Sequence, residues 1–568
     1  MTRRYTVLLF GFLLLLNIFS DLEAQEIDWW ESAALYQIYP RSFQDSDGDG
    51  VGDLNGITER LEYLKEIGIT ATWLSPIFES PMSDFGYDIS NFTRIDPIFG
   101  TLDDFDALIA KAKDIGVKII LDFVPNHSSD ECEWFKKSIR RENGYEDFYV
   151  WHDGIADNAG NRLPPSNWVS VFGGPAWTWN AERQQYYLHQ FQDKQPDLNF
   201  SHPLAREHMQ EVLKYWLDRG VDGFRIDAVP HIFEKINDDG TYPDEPLSGW
   251  STDPSSYDYL DHIYTKDQYA TVELLYEWRA FLKKYQSENG GETRILLAEA
   301  YSSVETLSQY FSNGTHQGAQ LPMNFNLMYL NGYSTAEDVV NSAEYWMNTM
   351  WKQHQTANWV VGNHDNSRVA DRMGRHKVDL LNVIVNAMPG ASVTYYGEEI
   401  GMGNVPTECT PISCDSRDPE RSPMQWDLQA NAGFTKGDTT WLPVADDYER
   451  YNVQIERGVA RSTLQIFKGM QQLKKTAAFK AFKQPGGFSY NALTQNVLQI
   501  VRAAANSEEY RVLVNMGNKV ERIENLADKT MEYVLLTIHS PHNYGDKVDL
   551  SGSFYLMPYE AVVLRSRT

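Results

Sequence analysis

Cysteine is scarce in this chain, with three in 568 residues. That excludes a disulfide-built framework and leaves stability to a large hydrophobic core. Beyond the first twenty positions there is no run of about 18 uninterrupted apolar residues, so no membrane span is read. The terminal segment Ala561-Val-Val-Leu-Arg-Ser-Arg-Thr568 lacks the polar spacer and hydrophobic tail of a lipid-anchor signal. Positive charge is also short: 50 Lys and Arg against 79 Asp and Glu leave a net charge of -29. Nucleic acid and anionic membrane surfaces are therefore poor partners.

What is present begins with Arg3-Arg4, an apolar run over residues 5–19 and the small residue Ala24. This reads as a signal peptide over residues 1–24, too short to span a bilayer comfortably, and predicts a secreted, extracellular protein. Cys409 and Cys414, five apart in a Pro-containing loop, are candidates for a small disulfide ring in an oxidising compartment, with Cys132 left as a packed thiol. Sequons stand at Asn91, Asn126, Asn199 and Asn313. Asn91 and Asn313 are the better glycosylation candidates, because the other two lie inside segments that carry the chemistry.

The length suits two or three domains. Short apolar segments at 35–39, 71–74, 118–123, 223–227, 295–299, 324–326, 359–362 and 392–396 alternate with amphipathic stretches such as 56–67. Eight such units predict an α/β fold, a (β/α)8 barrel, over residues 25–127 and 206–482. The third and fourth strands are separated by residues 128–205, too long for a structureless loop, and this segment reads as a small inserted domain. From 483 to 568 the helical pattern stops and an antiparallel β-sandwich is expected.

Three of the strand ends carry an acid: Asp227 in Gly223-Phe-Arg-Ile-Asp227, Glu299 in Ile295-Leu-Leu-Ala-Glu299 and Asp365 in Val360-Val-Gly-Asn-His-Asp365. Each alone reads equally well as a helix N-cap. Together, at the C-terminal ends of barrel strands, they suit glycosyl transfer, in which one carboxylate attacks and another delivers a proton. Arg225, on the same strand face as Asp227, is expected to keep that carboxylate ionised, whereas apolar neighbours raise Glu299. His127 and His364 add uncharged donors. In Asp45-Ser-Asp-Gly-Asp-Gly-Val-Gly-Asp53, alternating acids and glycines gather hard oxygen ligands, but Gly56 at the twelfth position excludes an EF-hand. A solvated acidic turn is the alternative.

Asp122-Phe-Val-Pro-Asn-His127, Gly223-Phe-Arg-Ile-Asp227, Leu297-Ala-Glu299 and Asn363-His-Asp365 resemble the four signature regions of glycoside hydrolase family 13, the α-amylase family. Gln195-Pro-Asp-Leu-Asn199 resembles the further signature of its oligo-1,6-glucosidase and α-glucosidase subfamily, and Arg421-Ser-Pro-Met-Gln-Trp426 is similar to a segment of the insect maltases within it. The resemblance implies Asp227 as nucleophile, Glu299 as general acid and base, and Asp365 as the third carboxylate. It further implies that Asp84 and Tyr87 grip a terminal glucose, with Arg421 paired to Asp84 to close the pocket. A loop cap for Asp84 and a surface ion pair for Arg421 are the plainer readings. A structural Ca²⁺ on Asp45, Asp47, Asp49, the Val51 carbonyl and Asp53 is implied too, with no organic cofactor. The expected partner is a small oligosaccharide. The small Ala228 after the nucleophile implies α-1,4 maltose and maltooligosaccharides, with sucrose, over α-1,6 bonds. The alternatives are a non-catalytic relative acting as a transporter-associated ectodomain and, among enzymes, a transglucosidase or oligo-1,6-glucosidase.

Overall fold

The computed structural model describes residues 27–350, 355–407 and 415–566. The expected leader and the Cys409/Cys414 pair lie outside the described residues, and Cys132 is buried as a free thiol. Eight parallel strands form the central sheet: β1 (Ala34–Ile38), β2 (Ala71–Leu74), β3 (Lys118–Phe123), β4 (Gly223–Ile226), β5 (Ile295–Ala298), β6 (Leu321–Pro322), β7 (Asn358–Val360) and β8 (Ala391–Tyr395). Their order is β6-β5-β4-β3-β2-β1-β8-β7. All their residues except Lys118 are buried, as strands covered on both faces require.

The sixth strand is two residues long and precedes the expected 324–326, where a 3-10 helix begins at Asn326 instead. Pro322 has no N–H to offer a ladder. The seam between β6 and β7 is joined by side chains: Asn324 donates its backbone N–H to Asn358 Oδ1 (2.8 Å) and its amide to the Asn358 carbonyl (3.1 Å). Asn358 in turn donates to the Pro322 carbonyl at 2.6 Å.

Around the strands pack helices α1 (Leu54–Ile67), α2 (Leu102–Ile115), α3 (Pro203–Asp218) and α4 (Tyr269–Asn289). Asp53 caps α1 by accepting the Gly56 N–H, and a Thr101/Asp104 capping box starts α2. Between β3 and α3 lie a short helix (Glu133–Ile139) and a three-stranded antiparallel sheet in which Gln185–Leu188 sits between Trp151–His152 and Trp177–Asn180. Trp168 and Trp177 stack at 5.7 Å over Val150, Ala176 and Leu188, so these two aromatics build a small core of their own. Phe172 stays exposed.

At the C-terminal end, an antiparallel six-stranded sheet starts with β9 (Phe488–Ala492) and β10 (Val497–Ala503), and a two-stranded ribbon (Glu521–Glu524 with Ser553–Leu556) covers it. Leu513, Tyr533 and Val562 of the sheet share a core with Ile523, Phe554 and Leu556 of the ribbon. Among the sequons, Asn313 is exposed, Asn91 is half-buried in a strand, and Asn126 is buried with its amide on Asp197.

Candidate active site

Strand parity delivers the acids to one place. On β3 Ile120 and Asp122 share a face, on β4 Gly223 and Arg225 lead to Asp227, and on β5 Ile295 and Leu297 lead to Glu299. The register aligns Arg225 with Asp122 on one side and Leu297 on the other. Leu35, Ile120, Ile295, Leu297 and Val393 form an apolar cluster in these strands, and the polar layers lie toward their C-terminal ends. Gly223 is required there, because a Cβ would meet the Ile295 carbonyl oxygen at 2.5 Å.

Asp227 and Glu299 follow directly on β4 and β5, and neither caps a helix: the 3-10 turn after Asp227 has Ala228 at its N-cap, without a side-chain bond. Arg225 is the hub. Its Nη1 donates to both oxygens of Asp122 (2.9 and 3.0 Å) and to Asp227 Oδ1 (2.5 Å), and its Nη2 lies 3.3 Å from Glu299 Oε2. Its guanidinium sits 4.8 Å from the centre of the Trp73 ring. Three carboxylates thus share one buried cation, an excess of negative charge that favours retaining a proton.

Burial pushes Glu299 up to about 7, with Arg225 opposing and Asp227 and Asp365 reinforcing. Burial also raises Asp227 to about 7 against the pull of Arg225. Arg225 is expected to keep Asp227 ionised, and burial opposes it, so the two effects compete at this carboxylate. The shorter Arg225 contact still goes to Asp227, so the retained proton belongs on Glu299. Asp365 behaves differently. Burial would raise it, but the neighbouring His364, then Arg421, Arg417 and Arg225, hold it well below the carboxylate range. Near neutrality the imidazoles themselves are uncharged, since burial lowers His364 to about 3 and His127 to about 4. Both imidazoles are neutral, as expected. His364 bonds Gln37 (2.8 Å) and the Tyr87 hydroxyl (2.6 Å), which donates to Asp122 at 3.1 Å.

Asp84, Tyr87, His127, Asp227, Glu299, His364 and Asp365 line one cavity of about 340 Å³. Arg225 and Arg421 do not line it; they stand behind its wall. The pairing of Asp84 with Arg421 is corrected as well. Asp84 Oδ1 accepts from Arg417 Nη2 at 2.8 Å, while Arg421 donates to the His364 carbonyl (2.8 Å) and to Asp365 (3.2 Å). Arg417 also reaches Asp365 at 3.2 Å and Asp415 at 2.5 Å, with the Phe172 ring 5.3 Å away. The two arginines are four residues apart, across the 3-10 helix Asp418–Arg421, and the motif match selected the wrong one. The acid and base run Asp415-Ser-Arg417-Asp418 was the signal available for Arg417.

The signature that begins at Gln195 carried no assigned role for that residue, whose amide joins Asp84 Oδ2 and His127 Nε2 at 3.1 Å each, and sequence reasoning missed Tyr301, which lines the cavity. At the acidic loop, Asp45, Asp47 and Asp49 each offer an oxygen within 4.8 Å of the others. Burial and the carboxylates of Asp47, Asp45 and Asp53 raise Asp49, a repulsion a cation would relieve. Asp53 is not part of that group. Its oxygens accept from Gly56 N, Ser46 Oγ and Ser46 N at 2.7–2.8 Å, so the capping role accounts for it.

Residues 37–482 match the family model described as the α-amylase catalytic domain. Maltase A2 of Drosophila melanogaster is 73% identical over 95% of this chain and 95% of its own length. The salivary α-glucosidase of Aedes aegypti is 44% identical, again over 95% of each. Among solved structures, an α-glucosyl transfer enzyme superposes with a TM-score of 0.81 at 30% identity, covering 95% of this chain and 100% of that one. With its parallel barrel, its acids at the strand ends and these relatives, the chain belongs to the α-amylase family, glycoside hydrolase family 13, and is an α-glucosidase.

Proposed function

We propose that this α-glucosidase is exo-acting and retaining and that it releases glucose from the non-reducing end of maltose and maltooligosaccharides. The observation that carries this reading is the cavity into which Asp227, Glu299 and Asp365 converge, with the Asp84–Arg417–Asp365 ion pairs across one side. Glu299, holding its proton near neutrality, donates it to the glycosidic oxygen while Asp227 attacks the anomeric carbon. Asp365, held anionic, stabilises the positive charge that develops on the sugar. Water then loses its proton to Glu299 and displaces Asp227. A chain that only binds or escorts a partner would not need all three acids, which disfavours the ectodomain reading.

Asp45, Asp47 and Asp49, with the Val51 carbonyl, would hold a structural Ca²⁺ that ties the loop after β1 and takes no part in the chemistry. The salivary naming of relatives and the basic, apolar start of the chain support secretion. The experiment is to follow maltose, isomaltose, sucrose and starch by product analysis, with NMR of the first glucose anomer released. From an aryl α-glucoside, whose leaving group releases no second glucose, α-glucose is expected; β-glucose there, or internal cleavage of starch, would overturn the reading.

A further inference from the structure

Phe85 follows Asp84 directly and has φ of 49°, in the left-handed region that a bulky side chain enters only under constraint. Met82 shares that sign at 65°, so the turn that presents Asp84 is strained at two positions. From inside, a carboxylate holds it: Asp88 accepts the N–H groups of Ser83 and Asp84 at 2.9 Å each and the Ser80 hydroxyl at 3.0 Å. From outside, the half-buried Phe85 ring holds it. The Arg41 guanidinium lies 5.5 Å and the Arg421 guanidinium 5.8 Å from the ring centre, with the Trp441 ring at 5.9 Å.

These three neighbours come from other parts of the chain and are themselves fixed. Arg41 lies 4.8 Å over Trp441, the Trp441 backbone N–H donates to the Gly50 carbonyl at 3.0 Å, and its indole donates to Ser42 Oγ at 3.1 Å. Ser42 gives its own hydrogen to the Arg421 carbonyl. The ring therefore joins the Asp84 turn to the 3-10 helix Asp418–Arg421, just beyond Arg417. Asp84 and Arg417 meet at 2.8 Å on the cavity wall, and Phe85 ties together the two segments that carry them without lining the cavity itself. Backbone strain persists only where the surroundings over-determine it, and it gathers at ligand clamps. Glycine would meet this φ without strain, whereas phenylalanine meets it only through its seat among two cations and an indole.

We infer that Phe85 is a positioning residue: its ring, seated between Arg41, Arg421 and Trp441, holds Asp84 where the carboxylate meets the terminal sugar. This rests on the exo-acting reading above, with Asp84 and Arg417 at the terminal-glucose end. A side chain that keeps the Cβ but loses the seat relaxes toward negative φ, and the chain under Asp84 turns with it. Asp227, Glu299 and Asp365 stand on other segments and keep their places. The loss then falls on the terminal glucose, which every substrate shares, and not on the leaving group.

The test measures kcat and KM for maltose and for an aryl α-glucoside, with thermal melts, in Phe85→Ala, Phe85→Gly and Phe85→Tyr. Phe85→Ala should raise KM about threefold to tenfold for both substrates, the weight of one hydrogen bond, while kcat moves by no more than about twofold. Phe85→Gly should raise KM by less, because glycine tolerates the native φ, and Phe85→Tyr, which keeps the ring in its seat, should stay near wild type. That order separates positioning from packing, since lost packing would make the smallest side chain the worst. Unchanged KM in Phe85→Ala would overturn the inference, as would a rise confined to one substrate or glycine as poor as alanine. Trp441→Leu removes one wall of the seat from outside the turn and should raise both KM values; if it melts near wild type with both unaltered, the inference fails too. Asp84→Asn stands apart from these arms. KM unaltered there for both substrates would refute the terminal-glucose reading itself, and this inference with it.

Discussion

Arg225 lies 2.5 Å from Asp227 and 3.3 Å from Glu299, so one guanidinium serves two acids of opposite duty. Both acids are raised to about 7 by burial, and the Asp227 carboxylate adds to the rise at Glu299. The nucleophile must be ionised and the acid protonated, so kcat/KM for maltose should rise as Asp227 loses its proton and fall as Glu299 loses its own. A narrow bell near neutrality results. Glu299→Gln removes the group responsible for the alkaline limb. It should lower kcat/KM for maltose by about 10²- to 10⁴-fold, flatten that limb, and cost far less with an aryl glucoside whose leaving group needs no proton. An alkaline limb that persists in Glu299→Gln would assign the acid elsewhere.

Arg417 and Arg421 predict different phenotypes although both touch Asp365. Arg417 closes the cavity by bonding Asp84 at 2.8 Å, so Arg417→Ala should loosen the terminal-glucose end and raise KM for maltose about tenfold or more, the weight of a charge-assisted bond. Arg421 is fully buried behind Asp365, and Arg421→Ala leaves a half-buried carboxylate with one partner fewer. It should lower kcat and melting temperature together. Steady-state kinetics with thermal melts of both variants decides between them, and equal behaviour would show that the pocket is not closed by Arg417.

The barrel was legible because eight apolar strands at regular intervals admit few other folds, and the acids because Asp227 and Glu299 follow such strands directly and Asp365 comes shortly after β7. Strand β6 was misplaced because a two-residue strand ending in proline carries no periodic signal, and its seam depends on Asn324 and Asn358, polar residues that read as loop. Arg417 was missed for another reason. A cation becomes a pocket residue through the fold that brings 415–417 over Asp84, and the acidic residues on either side of Arg417 were a weaker signal than the motif that contains Arg421. The role of Gln195 emerges only from hydrogen-bond direction, which spacing does not encode.

Calcium and capping are separable at the acidic loop. Asp47 belongs to the trio of carboxylates, so Asp47→Asn should abolish any stabilisation by added Ca²⁺, which follows mass action on the folded state. Asp53 caps α1 instead, so Asp53→Ala should lose about 0.5–2 kcal/mol whether or not Ca²⁺ is present. Thermal melts with and without chelator distinguish the two. A wild type indifferent to chelator, with no metal found by elemental analysis, removes the calcium proposal and leaves the cap intact.

Ala228 occupies a backbone position with φ of 48°, in the left-handed region, and its N–H donates to Glu299 Oε2 at 2.9 Å. A change there acts on volume, on backbone strain and on the acid at once. Ala228→Val adds two methyl groups beside the scissile bond and places a β-branched residue where φ is positive, which should lower the melting temperature. Its kcat/KM for maltose should fall relative to isomaltose by roughly 10- to 200-fold, the span that one or two methyl groups discriminate. Ala228→Gly relieves the strain without adding volume, so its maltose-to-isomaltose ratio should stay near wild type. If glycine shifts the ratio as far as valine does, the preference follows the backbone conformation at this position and not the space beside it; if neither shifts it, linkage choice is set on the far wall of the cavity.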